Sequence, residues 1–268
     1  MALRCVYTDL DGTMLGKGAS LLRDAEGNFS TLAIRALEAC HRAGVEVVIK
    51  SGRRKAQVYE DARLIGQPSY IYEMGSGLVD GEDEVFFTGS FEVGEESVHD
   101  QIERAGAPRL LMETYPNRIE PHVPWQSDRF FSHLLRGEVP MAEVEALFAE
   151  HDLDVRLVDN GITTRRSPEL IADQVHTYHL IPAEAGKGRA VAAHMRRRGL
   201  APEDVIAIGD SRGDLEVAGV VGRFFLVSNA LDKDPELAAA ANRPNVTVTE
   251  EPMTAGFYEA IVRSLAEG

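Results

Sequence analysis

Over the first 72 residues, short apolar runs alternate with stretches in which apolar residues recur at helical spacing. Residues 3–8 (LRCVYT) are largely apolar and stop at Asp9, Asp11 and Gly12, the pattern of a buried strand running into a loop. Residues 14–29 are rich in glycine and charge and predict irregular structure. Ser30 or Thr31 can cap a helix through TLAIRALEACHRAG, with Gly44 as its stop. Residues 45–49 (VEVVI) predict a second buried strand, 51–53 its loop, 55–65 a second helix and 69–72 (SYIY) a third strand. Strand, helix, strand, helix, strand in this order predicts a parallel sheet with right-handed crossovers.

The rhythm loosens from about residue 81 to residue 176. Strands are expected at 85–91, 109–114, 153–158 and 162–166, and helices at 93–105 and 142–150. A doubly wound rhythm resumes with a strand at 175–181, a helix at 188–198, strands at 205–208, 224–227 and 246–248, and a closing helix at 256–266. The expected fold class is therefore α/β, a parallel-sheet core from 1–81 and 179–268 interrupted by an inserted α+β domain at 82–178. The run Arg196, Arg197, Arg198 falls at a helix end, where positive charge complements the helix dipole.

Composition narrows the partners. A hydrophobic fraction of 44% is enough to bury a core, and a net charge of −15 repels nucleic acid and anionic membranes. An anionic small molecule then needs a local positive focus, from a metal ion or from Lys and Arg. Cys5 and Cys40 lie in apolar segments without metal-site spacing and read as reduced, buried thiols. The N-terminus enters its first strand without a signal-peptide pattern, and no apolar run reaches membrane length, so a cytoplasmic location is expected.

Asp9-Leu10-Asp11-Gly12-Thr13 places two carboxylates two residues apart at the carboxyl end of a buried strand, where open α/β sheets bind ligands. One carboxylate can attack phosphorus, and its neighbour can protonate the leaving oxygen and then activate water. Gly12 permits a sharp turn and Thr13 offers a hydroxyl. Asp210 and Asp214, in the cluster Gly209-Asp210-Ser211-Arg212-Gly213-Asp214, follow a second apolar strand. Hard cations such as Mg²⁺ take oxygen ligands, so Asp9, Asp210 and Asp214, with Asp11 beside them, are candidate metal ligands. Asp214 is equally readable as a helix cap. Ser51 and Gly52 stand at a strand end and helix start, where a hydroxyl and free N–H groups hold phosphate oxygens. Lys187 opens a helix, an unfavourable place for a cation unless an anion lies nearby.

The order DxDGT, Ser51, Lys187, GDSRGD, each at the end of an apolar strand, resembles the four-motif signature of the haloacid dehalogenase (HAD) superfamily. The resemblance covers the first and last thirds of the chain. It implies a Rossmann-like core, Asp9 as nucleophile, Asp11 as general acid/base, Ser51 and Lys187 on the phosphate, and Asp210 on Mg²⁺. The long insertion between the second and third motifs looks like the C2-type cap of the Cof-like subfamily. Residues 51–57 (SGRRKAQ) and 72–77 (YEMGSG) are similar to mannosyl-3-phosphoglycerate and sucrose phosphatases, and Asn229 matches a position near the phosphate. The chain departs from them at Met74 and Gly213, where those relatives usually have asparagine.

The expected activity is hydrolysis of a phosphate ester of a small metabolite, sugar-like or phosphoglycerate-like. A phosphomutase, a catalytically silent binding protein and a dehalogenase are the alternatives. Asp11 speaks against the last, and the intact motif residues speak against the silent protein. Arg53, His122, Arg165, Arg166 and His176, with Trp125, are the candidates for reading the rest of the substrate. The inserted domain is expected to close over the strand ends, hinged near 77–84 and 181–186.

Overall fold

The structure is a computed structural model and describes residues 2–163, 165 and 167–267. The first strands form as the apolar runs predict: β1 (Cys5–Thr8), α1 (Leu32–Ala43), β2 (Glu46–Lys50), α2 (Lys55–Leu64) and β3 (Ser69–Tyr72). A hairpin, β4 (Gly77–Asp80) and β5 (Asp83–Phe86), follows, then α3 (Val98–Ala105) and α4 (Ala107–Thr114). Next come β6 (Ile119–Pro121), β7 (His133–Gly137), α5 (Met141–Glu150), β8 (Val155–Ile162) and β9 (His176–Pro182). The chain ends with α6 (Lys187–Arg198), β10 (Val205–Gly209), α7 (Arg212–Leu215), β11 (Arg223–Leu226), α8 (Asn229–Lys233), α9 (Leu237–Ala240), β12 (Val246–Val248) and α10 (Met253–Glu267).

Among the described residues the strands form an eight-stranded sheet, β12-β11-β10-β1-β2-β3-β4-β5, and a four-stranded antiparallel sheet, β6-β7-β9-β8. The large sheet is parallel from β12 to β3, so the α/β core with its cap is as expected. Period-two alternation sorts its side chains into two layers. Val6, Val47, Ile49 and Ile208 pack with α1 and with Phe257 and Ile261 of α10. Cys5, Tyr7, Val48 and Phe224 pack on the other face with Ala190, Val191 and Met195 of α6. Both cysteines are buried and free. Gly44 stops α1 in the left-handed conformation, while Ser30 rather than Thr31 supplies the hydroxyl at its start, accepting from the Leu32 amide at 3.3 Å.

The inserted region departs from expectation in four places. Residues 109–114 are helical, not extended. Pro108 sits in the first turn of α4, Gly106 turns the chain before it, and only Leu111 of its middle is fully buried, a helical period. The expected strand at 85–91 is the second arm of the β4–β5 hairpin, which ends at Phe86 and extends the core sheet by antiparallel pairing. The strand expected at 153–158 is β8, which runs on to Ile162 with an irregularity between Asp159 and Ile162; of the strand expected at 162–166 only Ile162 belongs to it, Thr163 and Arg165 are not extended in a sheet, and residues 164 and 166 lie outside the described residues. The strand expected at 175–181 to resume the doubly wound core is β9, which pairs with β7 and β8 in the small sheet. The run at 196–198 does more than face the helix end, because Arg197 pairs with Asp80 and Asp83 and Arg198 with Glu46.

Tyr72, Phe131 and Phe86 join the two units through tilted and stacked rings, with centroids 5.9 Å and 5.6 Å from Phe131. Polar ties close the cap over the core's motif loops. Arg54 pairs with Asp128 at 2.8 Å, Arg129 donates to the Gly52 carbonyl at 2.9 Å, and Arg156 pairs with Glu216. The buried Glu73 carboxylate accepts from the Phe130 and Phe131 amides and from Ser132 Oγ, at 3.1, 3.0 and 2.7 Å.

Candidate active site

β1 lies between β10 and β2, so Asp9, Asp210 and Ser51 leave neighbouring parallel strands at the same edge. Carboxylate oxygens of Asp9, Asp210 and Asp214 all lie within 4.8 Å of one another. Left alone, three carboxylates this close, those of Asp9 and Asp214 buried, would repel strongly. Lysines compensate. Lys187 Nζ donates to Asp9 Oδ1 and Asp214 Oδ1, both at 2.8 Å, Lys50 Nζ donates to Asp214 Oδ1 at 2.6 Å, and Lys233 Nζ donates to Asp210 Oδ2 at 2.7 Å. Lys187 thus finds, at the start of α6, the anion its position called for.

The charges are unevenly held. Burial works against the Asp214 anion, but Lys187 and Lys50 hold its carboxyl well below the usual range. Burial works against the charged form of Lys187 as well, and Asp214 and Asp9 outweigh it, keeping that ammonium protonated. Asp9 moves the other way. Burial, with Asp214 and Asp210 behind it, pushes its carboxyl up to about 7 against the pull of Lys187 and Lys50. The Lys187–Asp214 pair is therefore the settled ion pair, and Asp9 is the member whose charge an added cation would stabilise most.

Asp11 stands apart from this group. Its carboxylate is half exposed and clasped by Arg53, whose Nε and Nη2 donate to it at 2.7 and 2.6 Å. Arg53 also pairs with Asp61 at 2.8 Å. Of the four expected metal ligands, Asp11 is thus the one whose side chain lies outside the cluster. Gly12 turns with φ +81°, and a Cβ there would sit 2.3 Å from Asp210 Oδ2, so only glycine lets the DxDGT loop approach Asp210. Thr13 Oγ1 is buried and has no partner among the described residues. Ser51 is buried and accepts from the Arg53 amide at 3.2 Å, leaving its proton free to donate. Asn229 holds the loop: Nδ2 donates to the Gly12 carbonyl at 3.0 Å and Oδ1 accepts from the Met253 amide at 2.7 Å.

The substrate-reading candidates scatter. Arg53 is engaged with Asp11 and Asp61. His176 is paired with Asp159 at 2.8 Å. Arg165 is exposed and lies over the Trp125 ring, 5.0 Å from its centroid. Arg166 lies outside the described residues. Of these candidates His122 is the one that is buried with a ring nitrogen unpartnered among the described residues. Lys50, Lys233, Glu73, Arg129 and His179 were not anticipated. Lys50 ends an apolar run and reads there as a solvated strand terminus, and nothing local signals the others.

Glu73, Met74 and Gly75 all have positive φ, at 43°, 58° and 88°. This strained turn is pressed against the start of α6: a Cβ on Gly75 would stand 2.3 Å from the Gly186 carbonyl oxygen and 2.8 Å from the Lys187 amide. Gly75→Ala is expected to destabilise the protein by roughly 1–3 kcal/mol and to lower turnover by displacing Lys187. Gly81→Ala has a similar positive φ of +66° but open space around it, and so isolates the backbone effect. Thermal unfolding and phosphate release on both variants check this; equal losses would show that the contact with Gly186 is unimportant.

The phosphoglycolate phosphatase of Methanothermobacter thermautotrophicus is 28% identical over 262 residues, covering 97% of this chain and 98% of that one. That of Methanoculleus marisnigri is 25% identical over 268 residues, covering 97% and 95%. The fold matches that of the Synechocystis sp. PCC6803 sucrose-phosphatase, solved with sucrose and phosphate, at a TM-score of 0.65 and 15% identity over 98% of each chain. It also matches a haloacid dehalogenase-like hydrolase from B. subtilis at 0.58 and 17%, over 97% and 99%. Residues 3–263 match the family model for sucrose-6F-phosphate phosphohydrolase, and the chain belongs to that family of haloacid dehalogenase-like phosphatases.

Proposed function

We propose that the protein is a Mg²⁺-dependent phosphatase that hydrolyses a small phosphorylated metabolite through an aspartyl-phosphate on Asp9. The observation that supports this best is the joining of Asp9, Asp210 and Asp214 within 4.8 Å, with Lys187 bridging Asp9 and Asp214. Three carboxylates form an all-oxygen donor set that fits a hard divalent cation. Bound there, Mg²⁺ supplies charge neutralisation and polarises the phosphoryl oxygens.

The chain's own groups do the rest. A carboxylate oxygen of Asp9 attacks phosphorus as the ester P–O bond breaks, and Asp11 gives a proton to the departing oxygen. Water then attacks phosphorus, Asp11 takes its proton, and the bond from phosphorus to the Asp9 oxygen breaks to release inorganic phosphate and the free carboxylate. In this reading Lys187, Ser51 and Thr13 hold phosphoryl oxygens, and the cap excludes bulk water. Phosphate release from a panel of monoesters should require Mg²⁺ and vanish with chelator. Full activity after exhaustive chelation would contradict the metal. Transfer of the phosphoryl group back to the organic product, without inorganic phosphate, would make the protein a mutase.

Two substrate classes fit this reading. The family model names a sugar ester, and the relatives from methanogens are named for a phosphorylated hydroxy acid. Among the described residues no helix is long and apolar enough to cross a membrane.

A further inference from the structure

Met74 and Gly213, the two positions at which the chain departs from the phosphatases it resembles, meet in the fold. Met74 is 1% exposed, yet it belongs to neither of the two main apolar layers. It packs with Val158 of β8, Ile181 of β9 and Ala185 in the link from β9 to α6. Val158 and Ile181 come from the small sheet, so Met74 is a core side chain buried by the cap.

Its reach is defined at two glycines. A Cβ on Gly52 would stand 3.1 Å from Met74 Sδ and 2.8 Å from Nε2 of His179, on β9. A Cβ on Gly213 would stand 2.9 Å from Met74 Cε and 3.3 Å from Val158 Cγ1. Gly52 adjoins Ser51, and Gly213 adjoins Asp214. The thioether therefore lies between the Ser51 loop and the acidic loop, and at each glycine a cap side chain crowds the same space. In an interior packed this closely, neither loop can shift toward Met74 without displacing it.

A methionine side chain is pliant, but the backbone of this one is pinned. The Glu73 amide donates to the Arg53 carbonyl at 2.9 Å, and the Met74 amide donates to the Ser51 carbonyl at 3.1 Å. On either side of Met74, Glu73 holds the cap amides of Phe130 and Phe131, and Gly75 is pressed against Gly186 and Lys187. The turn thus touches the cap and the segments that carry Ser51, Asp214 and Lys187. Met74 takes φ 58° and ψ 25°, a left-handed conformation that a long side chain adopts at a cost. Such conformations persist where the surroundings over-determine them. Filling space alone does not call for that backbone.

We infer that Met74 is a positioning residue that couples seating of the cap to the placement of Ser51 and Asp214. The inference rests on the phosphatase reading above. With His179 and Val158 in place, the thioether is wedged against both glycines, and the two loops are held at one separation. Lifting the cap withdraws His179 and Val158, the thioether gains room to turn, and the loops loosen together. The site is then best assembled under a seated cap, where bulk water is excluded.

The test compares Met74→Ala, Met74→Leu and Val158→Ala with Met195→Ala, which removes the same side chain from the buried face of α6. Rates are measured on folded protein with the best ester of a monoester panel. Met74→Ala should lower kcat and kcat/KM together by about tenfold or more, the mark of geometry lost at the reacting centre rather than of binding. Met74→Leu keeps the volume and should recover most of that loss. Met195→Ala should keep wild-type kcat despite a comparable fall in Tm. Val158→Ala should slow the wild type and add little to Met74→Ala. Hydrogen exchange without metal or ester reads the coupling directly. In Met74→Ala, residues 51–53, 155–160 and 211–215 should exchange faster together, by about tenfold or more, with α1 and α10 unchanged. If Met74→Ala fails to fold, Val158→Ala carries the exchange comparison from the cap to both loops. Wild-type kcat in Met74→Ala, an equal kcat loss in Met195→Ala, or faster exchange confined to 73–75 overturns the coupling. Absence of turnover on every ester in the wild type overturns the phosphatase reading instead, and exchange then still decides the coupling.

Discussion

Asp9→Asn is expected to lower phosphate release by about a thousandfold or more while leaving the protein folded. The amide cannot serve as an anionic nucleophile, yet its oxygen can still accept the hydrogen bond that Lys187 Nζ gives Oδ1 at 2.8 Å. Removing one negative charge from the Asp9, Asp210, Asp214 cluster also relieves repulsion, so thermal stability should be unchanged or slightly higher. Initial rates and thermal unfolding on the same sample check both halves, with mass spectrometry to exclude reversion by deamidation. Turnover near wild type in that sample would remove Asp9 from the mechanism.

Lys50→Met is expected to destabilise the protein by about 3–5 kcal/mol, a drop in Tm of roughly 10 °C. Lys50 and Asp214 are both fully buried, and Nζ donates to Asp214 Oδ1 at 2.6 Å and to the Ile208 carbonyl at 3.1 Å. Burial and Lys187 pull the Lys50 ammonium down from its usual range, with Asp214 opposing them. Methionine fills the volume but leaves Asp214 dependent on Lys187 and leaves the β10 carbonyl without that donor. Lys187 would then be drawn from Asp9 toward Asp214, so activity should fall with stability. Lys233→Met is the comparison: its side chain is 39% exposed, water can reach the site, and the stability loss should be much smaller. If the two variants unfold at the same temperature, the buried pair with Asp214 does not stabilise the fold in this way.

Most of the candidate site's edge was legible in the sequence because its signals are local. An apolar run that stops at an acidic pair or a Ser-Gly identifies a strand end, and parallel sheets gather their strand ends at one edge. Asp9, Ser51 and Asp210 needed no more than that, whereas Lys187 stood out only as a lysine between glycines at a helix start, since the strand before it, β9, lies in the cap sheet. Helix against strand was decided locally too wherever the run was long, as for α1 and α6, and mistaken at 109–114, where an eight-residue helix is too short for its period to stand out.

Pairing across the chain was not legible. The apolar run of β9 suits either sheet, and only its partners β7 and β8 put it in the cap. Lys50 looks like a strand-end lysine until Asp214, 164 residues away, arrives beside it. Arg129 reaches the Gly52 carbonyl across 77 residues, and His179 reaches Gly52 only because the cap sheet is laid on the core. The sequence by itself determined the α/β core and which residues stand at its strand ends, since hydrophobic period and turn residues act over a few positions. The compensation of the buried carboxylates and the choice of cap residues facing the cleft were decided by the tertiary structure. Burial and charge pairing depend on what the fold brings near, and no residue's neighbours in sequence record that.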